Sequence, residues 1–575
     1  MTFRRGLRFL PYLVVAAILL SALVTARANN PAPAPHPRFV NITRSAGINF
    51  VHNNGAFGAK YLPETLGSGV CFIDYNNTGR QSILLVNGED WPGHPLHRYP
   101  TTMELWRNNG NGTFTNVTRQ AHLNVPMYGM GCAIGDYNND GCDDIFVTAV
   151  GQNHLFRNNC NGTFTDVTKQ AGLWGPKDFS TSAAWIQATR DGLLDLVVAN
   201  YVKWSPKTDI YCTINGKTKS YCTAQVYHGE SLTFWRNNGN GTFTNVTKQA
   251  GLYDPNDKSL GIAVADFNND GWPDIAVSND DEPNKLYINN HNGTFTSEGV
   301  TAGIAYSGSG VARSGMGIAA ADYNHSGYPS LVITNFSNQM LSLYQNQGNG
   351  LFINLAPHSE IGRASLLTLG FGCFWFDYNL DGWPDLFVAN GHIDPGISAI
   401  QPQVHYAEPP LLFENLGNGK FANLTKQMGA SFNKPRVARG TAFADVNNDG
   451  APDLVITTNN GPAALFLNEG ETNNSLEIKL VGVESNRDGL DSTVRVRAGG
   501  MTQSEMLTNG GSYLSSSELI LTFGLGRYKK ASLVEIDWPS GHRDFLRNVA
   551  ANQLITVKEG VGIIARKPLN RRGTW

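Results

Sequence analysis

The sequence predicts an all-β protein, a seven-bladed β-propeller followed by a small C-terminal β domain, and three observations carry that expectation. First, 62 glycines and dense Asn/Asp/Gly clusters separate short Val/Ile/Leu/Phe runs, which is the pattern of many strands joined by tight turns. Second, an Asp-rich loop recurs seven times: "DYNNTGRQS" (74–82), "DYNNDGCDD" (136–144), "QATRDGLLD" (187–195), "DFNNDGWPD" (266–274), "DYNHSGYPS" (322–330), "DYNLDGWPD" (377–385) and "DVNNDGAPD" (445–453). Third, a hairpin signature keeps step with it, from "LWRNNGNGTFTNVT" (105–118) to "LFENLGNGKFANLT" (412–425), each an apolar strand, an Asn/Gly turn and a second strand.

Taken in order along the 575 residues, the chain opens with Arg4, Arg5 and Arg8, an apolar run "YLVVAAILLSALVTA" and Ala26-Arg27-Ala28, which together predict a secretory signal peptide over 1–28. The run is shorter than the ~20 residues a membrane span needs. A Pro/Ala linker follows over 29–38. The seven repeats fill 39–470, and a lone post-hairpin strand, "FVNITRSAGI" (39–48), supplies what the last hairpin, "ALFLNEGETN", lacks. Units of ~60 residues with strand, loop, strand and hairpin suit four-stranded blades. The long third unit carries an excursion, "YVKWSPKTDIYCTINGKTKSYCTAQVYHG", expected on a face of the disc. Alternating strands over 475–560 predict a β-sandwich-like or β-barrel-like domain, and "ARKPLNRRGTW" closes a basic tail over 561–575.

The loops have a chemistry of their own. In D-x-N-x-D-G-x-x-D, the side chains at positions 1, 3, 5 and 9 and the carbonyl at 7 can converge on one ion, and Gly at 6 permits the reversal. Oxygen ligands without His or thiolate suit Ca²⁺. Four loops keep the whole set: Asp136, Asn138, Asp140, Cys142 and Asp144; Asp266, Asn268, Asp270, Trp272 and Asp274; Asp377, Asn379, Asp381, Trp383 and Asp385; Asp445, Asn447, Asp449, Ala451 and Asp453, the seventh position contributing its carbonyl. The others have lost ligands at Thr78 and Ser82, Gln187 and Thr189, and Ser326 and Ser330. The competing interpretation is an Asx turn between two strands with no metal.

Seven cysteines in an exported chain predict some pairing. Cys212 and Cys222 bracket "TINGKTKSY" and form the best disulfide; Cys71, Cys132 and Cys373 are expected as core residues, and Cys142 with Cys160 is left open. Removing the leader takes four arginines from 44 Lys+Arg and leaves 40 against 47 Asp+Glu, a net −7 that argues against nucleic acid. No nucleotide loop or G-x-S-x-G elbow is present. The enzymatic alternative, a carbohydrate lyase or dehydratase, would use His52 and Glu64 as an acid–base pair at the channel. Other groups weighed are Asp90, His94 and His97, His392 and Asp394, and a carbohydrate platform from Trp91, Trp174, Trp204 and Trp235.

"FADVNNDGAPDLVI" and its sisters resemble FG-GAP/VCBS repeats, the blades of integrin α-subunit propellers. Residues 486–560, through "GGSYLSSSE", "FGLG", "WPSG" and "NVAANQ", resemble an ASPIC/UnbV domain. Together they resemble the bacterial relatives of the secreted cartilage acidic protein. That resemblance implies calcium-binding repeats and a role in interaction, hence a secreted, periplasmic or cell-surface module for adhesion to a protein or glycan. "DGLDST" (488–493) departs from the small-residue "GxGA"-like turn expected there.

Overall fold

The computed structural model describes residues 38–98, 101–175 and 177–571, so the signal peptide, all but the last residue of the linker and the final four residues lie outside it. Among the described residues, strands dominate and group into seven antiparallel blades of four strands, the second and third joined edge to edge through Val150–Gln152 and Lys177–Phe179 into one eight-stranded sheet, together with a two-stranded ribbon and a two-sheet domain. The innermost strands are Val70–Ile73, Gly129–Gly135, Lys177–Ile186, Ser259–Ala265, Gly315–Ala321, Gly370–Phe376 and Ala438–Ala444. Each packs against the next and the seventh against the first, which closes a ring of seven blades. Small residues are frequent in several of them ("GMGCAIG", "SLGIAVA", "GMGIAAA"), where strands crowd the axis, although Gly370–Phe376 is largely aromatic. The lone N-terminal strand, Arg38–Asn41, pairs with Ala464–Glu469 and completes the seventh blade.

An asparagine at the end of each third strand repeats the closure in hydrogen bonds. The amide groups of Asn108, Asn158, Asn237, Asn289, Asn346, Asn415 and Asn468 donate to the carbonyls of Val446, Tyr75, Tyr137, Ala188, Phe267, Tyr323 and Tyr378, each in the preceding blade, at 2.7–3.1 Å. These buried amides have no water to turn to, so the pairing fixes each blade's pitch against its neighbour.

The C-terminal domain sandwiches two four-stranded sheets. One runs Leu521–Gly526, Asn474–Val481, Gln553–Lys558 and Gly562–Pro568; the other runs Met501–Met506, Thr493–Ala498, Lys530–Asp537 and Arg543–Ala550. The expected boundary at 560 is corrected: the start of the basic tail is an edge strand, Gly562–Pro568, because "GIIARKP" pairs along Gln553–Lys558. Leu476, Ile478, Val494, Val534 and Trp538 form a core that runs on into Tyr137, Trp185 and Phe243 of blades 2 and 3.

Three disulfides are present: Cys212–Cys222 as expected, Cys142–Cys160, and Cys71–Cys132. The last corrects the core-only expectation. Cys71 and Cys132 lie one repeat apart, on adjacent innermost strands, with Cα atoms 6.2 Å apart. Cys373 alone is free and buried.

Candidate functional site

Each Asp loop links the first and second strands of its blade, so all seven lie at one end of the ring, beside the hairpins. In 136–144 the Asp136 carboxylate accepts the N–H groups of Asp140 and Gly141 (3.0 and 2.6 Å), Asn138 Oδ1 accepts the Asp140 N–H (3.2 Å), and Asp140 Oδ1 accepts the Cys142 N–H (3.1 Å). The loops 266–274, 377–385 and 445–453 repeat these bonds to within about 0.2 Å. Gly141, Gly271, Gly382 and Gly450 all have φ between 84° and 95°, as position 6 requires. Position 4 is also left-handed, which explains Asn139, Asn269 and Asn448 there. Asp144, Asp274, Asp385 and Asp453 accept the backbone N–H of Asn158, Asn289, Asn415 and Asn468, tying loop to hairpin at 2.7–2.8 Å.

The same turn forms where ligands are lost. Asp74 and Asp322 cap their loops in the same way, with Thr78 or Ser326 at position 5. Turn geometry alone therefore requires no ion; what sets four loops apart is carboxylates at positions 1, 5 and 9 together, since loops 74–82 and 322–330 lack those at 5 and 9 and loop 187–195 keeps Asp191 and Asp195 but has Gln187 at position 1. Burial holds Asp144, Asp274, Asp385 and Asp453 well above the usual carboxylate range. Burial, then Asp488, pushes Asp136 up to about 7; burial raises Asp266 and Asp381 to about 6. Asp144 Oδ2 and Asp385 Oδ2 are buried without any hydrogen-bond partner. Acceptors of this kind, crowded and without donors, fit a hard cation, which would offset both desolvation and mutual repulsion. The side chains at position 7 are engaged elsewhere, with Trp272 stacked on His291 and Trp383 on His325.

The C-terminal domain covers this end of the ring, and its segment 509–518 fills the central channel. Backbone bonds run from Gly511 N–H to Ile262 O (2.7 Å), both ways between Ser512 and Ile318 (2.7 and 3.1 Å), from Cys132 N–H to Leu514 O (3.2 Å) and both ways between Ser516 and the Val70/Phe72 strand (3.1 Å each). The Tyr513 hydroxyl, fully buried, donates to Leu66 O at 3.0 Å. Three acids of the domain each accept the N–H of a loop's first residue: Asp488 from Asp136 (2.7 Å), Asp491 from Gln187 (2.6 Å) and Glu518 from Asp445 (2.8 Å). The departure noted at "DGLDST" is this docking contact. The "GGSYLSSSE" string carries no sequence signal of channel filling, because its partners lie from about 70 to about 450 residues away.

At the other end of the ring, the 201–229 excursion arches over the channel mouth. Glu64 Oε2 accepts the Tyr221 O–H (2.9 Å), Asp394 accepts the Ser220 O–H, and the Lys60 ammonium sits over the Tyr221 ring. Burial raises Glu64. His52 is buried, its Nδ1 accepts the Asn460 N–H (3.1 Å), and burial with Arg439 nearby pushes it down to about 3. Among the described residues no hydrogen bond joins His52 to Glu64. His392 Nδ1 accepts the Asp394 N–H (3.0 Å), His97 pairs with Asp90 (2.8 Å), and His94 stacks on Phe57. Trp91 and Trp204 meet with ring centroids 5.3 Å apart, whereas Trp235 packs against the core shared by blades 2 and 3 and the C-terminal domain, and Trp174 is exposed beside His154. A cavity of about 160 Å³ at this mouth is lined by Tyr201, Asp280, Asp281, Gln225, Phe336 and Phe371.

Residues 74–147, 136–198, 207–277, 266–333 and 322–388 match the FG-GAP-like repeat family, and residues 482–563 match ASPIC and UnbV. Cartilage acidic protein 1 of Mus musculus is 26% identical over 336 residues, 56% of this chain and 40% of that protein; its Xenopus tropicalis counterpart is 26% identical over 304 residues, 52% and 44%. The chain thus spans less than half the length of these relatives. Among solved structures, an Agrocybe aegerita lectin that specifically recognises non-reducing terminal N-acetylglucosamine superposes with TM-score 0.39 at 18% identity, covering 72% of this chain and 89% of the lectin. BBS1N, solved in complex with ARL6DN, gives TM-score 0.39 at 11% identity, over 76% and 99%.

Proposed function

The chain belongs to the FG-GAP-like repeat family and carries an ASPIC and UnbV domain, and on that premise we propose that it is an extracytoplasmic, calcium-braced propeller serving as a non-catalytic binding or adhesion module for a protein or glycan. The carrying observation is a division of labour between the two ends of the ring. One end gathers the aspartate loops under the C-terminal domain, and the chain's own residues 509–518 fill the channel. The other end is left with an aromatic-rimmed mouth and a cavity of about 160 Å³, the kind of concave surface that takes a sugar or a peptide side chain.

In this reading the loops 136–144, 266–274, 377–385 and 445–453 hold Ca²⁺. Three carboxylates and an amide per loop, two of the loops with a buried oxygen lacking any partner, support it. Three disulfides support an oxidising compartment. The enzymatic alternative needs His52 and Glu64 to act together, yet Asn460 and Tyr221 respectively engage them. A glycan and protein binding screen tests the proposal, run on the wild type and on Asp281→Ala at the cavity. Binding weakened by the variant is expected; ligands that bind both equally would move the site elsewhere, and glycan turnover abolished by Glu64→Gln would restore the enzymatic reading.

A further inference from the structure

The cavity at the open mouth of the ring is built from the same repeat position in three successive blades. Tyr201, Asp280 and Phe336 each follow the asparagine that ends a blade's second strand, Asp195–Asn200, Asp274–Asn279 and Ser330–Asn335, and all three line the cavity. Blade 6 has Gly391 at that position. Leu62, Leu260, Met316 and Phe371 add to an apolar lining in which, among the described residues, Asp280 and Asp281 are the only charged side chains. Each carboxylate has a hydroxyl for a partner: the Tyr201 O–H donates to Asp280 Oδ2 at 2.6 Å, and the Ser314 O–H to Asp281 Oδ1 at 2.5 Å. The basic groups around them are committed elsewhere. Lys258, whose carbonyl accepts the Asp280 N–H at 2.9 Å, sends its ammonium to Glu282 (3.3 Å), and Lys285 pairs with Asp254 and Asp257 (2.6 and 3.3 Å). Arg439, wholly buried, lies with its guanidinium carbon 3.9 Å from the Phe371 ring centroid and donates to the carbonyls of Thr65, Gly391 and Ala438.

Two successive carboxylates in an apolar recess, each with only a hydroxyl to answer it, leave negative charge for a ligand to neutralise. A sugar ring calls for donors and acceptors spread around it, whereas here the polar groups are few and the charge is of one sign. An alkyl stem ending in an ammonium or guanidinium matches both parts of the lining. Its methylenes lie along Leu62, Met316 and Phe336, and its head reaches Asp281, which is half-buried and so the more accessible of the two acids. Arg439 already occupies the Phe371 ring, so the head goes to the carboxylates and not to that face. We infer that the cavity receives a lysine or arginine side chain of a protein partner, its cationic head paired with Asp281 and Asp280. The inference rests on the binding-module reading of the mouth and goes beyond it, because it fixes the partner as a protein that presents an exposed basic residue.

The test titrates the purified protein with capped Gly-Gly-Lys-Gly-Gly and Gly-Gly-Arg-Gly-Gly peptides and with their neutral counterparts, carrying acetyl-lysine and citrulline, and reads binding by saturation-transfer NMR. Asp281→Asn is the variant, since asparagine tolerates the left-handed backbone at this position (φ 61°) and still accepts from Ser314. Glu469→Gln, which removes an exposed acid at the end of Ala464–Glu469, is the control for net charge. At least one basic peptide is expected to bind the wild type about tenfold more tightly than its neutral counterpart, with that preference lost in Asp281→Asn and kept in Glu469→Gln. Charged and neutral peptides that bind wild type alike, or a preference that survives Asp281→Asn, would overturn the inference, and the first of these is read on the wild type whether or not the variant folds. If no peptide binds while a glycan loses affinity for Asp281→Ala, the inference falls and the binding-module reading stands. If neither peptides nor the glycan and protein screen give a ligand that Asp281 affects, both fall.

Discussion

The amide of Asn237 donates to the Tyr137 carbonyl of blade 2 and to the Leu194 carbonyl of its own blade, at 2.9 and 3.1 Å, while its backbone N–H donates to Asp195 (2.8 Å). Asn237→Ala leaves two buried carbonyls unpaired, and a loss of about 1–3 kcal/mol in denaturant unfolding is expected. His52 gives a second residue-scale prediction. Burial first, then Arg439, lowers its folded value from 6.5 to about 3, so the unfolded chain binds the proton that the folded state refuses. The stability this contributes is full above about pH 6.5 and falls as pH drops towards 3, with a slope of up to about 1.4 kcal/mol per pH unit. In His52→Asn, whose side-chain oxygen still accepts from Asn460, the unfolding midpoint should depend less steeply on pH between 6 and 4; an unchanged slope would mean that His52 is not held neutral.

The innermost strands and the channel segment meet backbone to backbone. A Cβ at Gly131 would lie 2.8–3.1 Å from the Leu514 main chain, and one at Gly69 would lie 2.2 Å from the Leu514 carbonyl. Gly131→Ala is expected to cost roughly 1–3 kcal/mol and to expose 509–518 to hydrogen exchange, whereas the blade strands keep their protection. Equal protection in the variant would show that the segment yields without undocking. The blades themselves were legible in the sequence, because the Asp loop, the hairpin and the lone strand at 39–48 are local signals repeated in register. The docking was not: Asp488, Asp491 and Glu518 read as ordinary loop polars until the fold sets them against loop N–H groups some 70 to 350 residues away. Cys71–Cys132 was hidden differently, since both residues fit the small-residue pattern of the inner strands, and only their equivalence one repeat apart makes them neighbours. The third loop follows the same logic, with Gln187 paired to Asn486 (2.9 Å) of the C-terminal domain where a ligand would stand.

As a whole, the molecule is a ring whose closure depends on the N-terminal strand, the seven asparagine bridges and the C-terminal segment along its axis. Its aspartate loops lie between blades and domain, so cation binding there would act on the entire assembly, stabilising the folded state by roughly 2.7 kcal/mol per site at a hundredfold excess over Kd. Reducing agent alone should lower the melting temperature without abolishing folding, because the disulfides join segments that the ring already holds. The most direct test of the account is calorimetric titration of chelator-treated protein with CaCl₂, with thermal melts at each end point. Uptake of about four Ca²⁺ with a rise in melting temperature is the predicted result. No uptake and an unchanged melt would contradict it, leaving the loops as hydrogen-bonded turns and the open mouth of the ring as the place to seek a function.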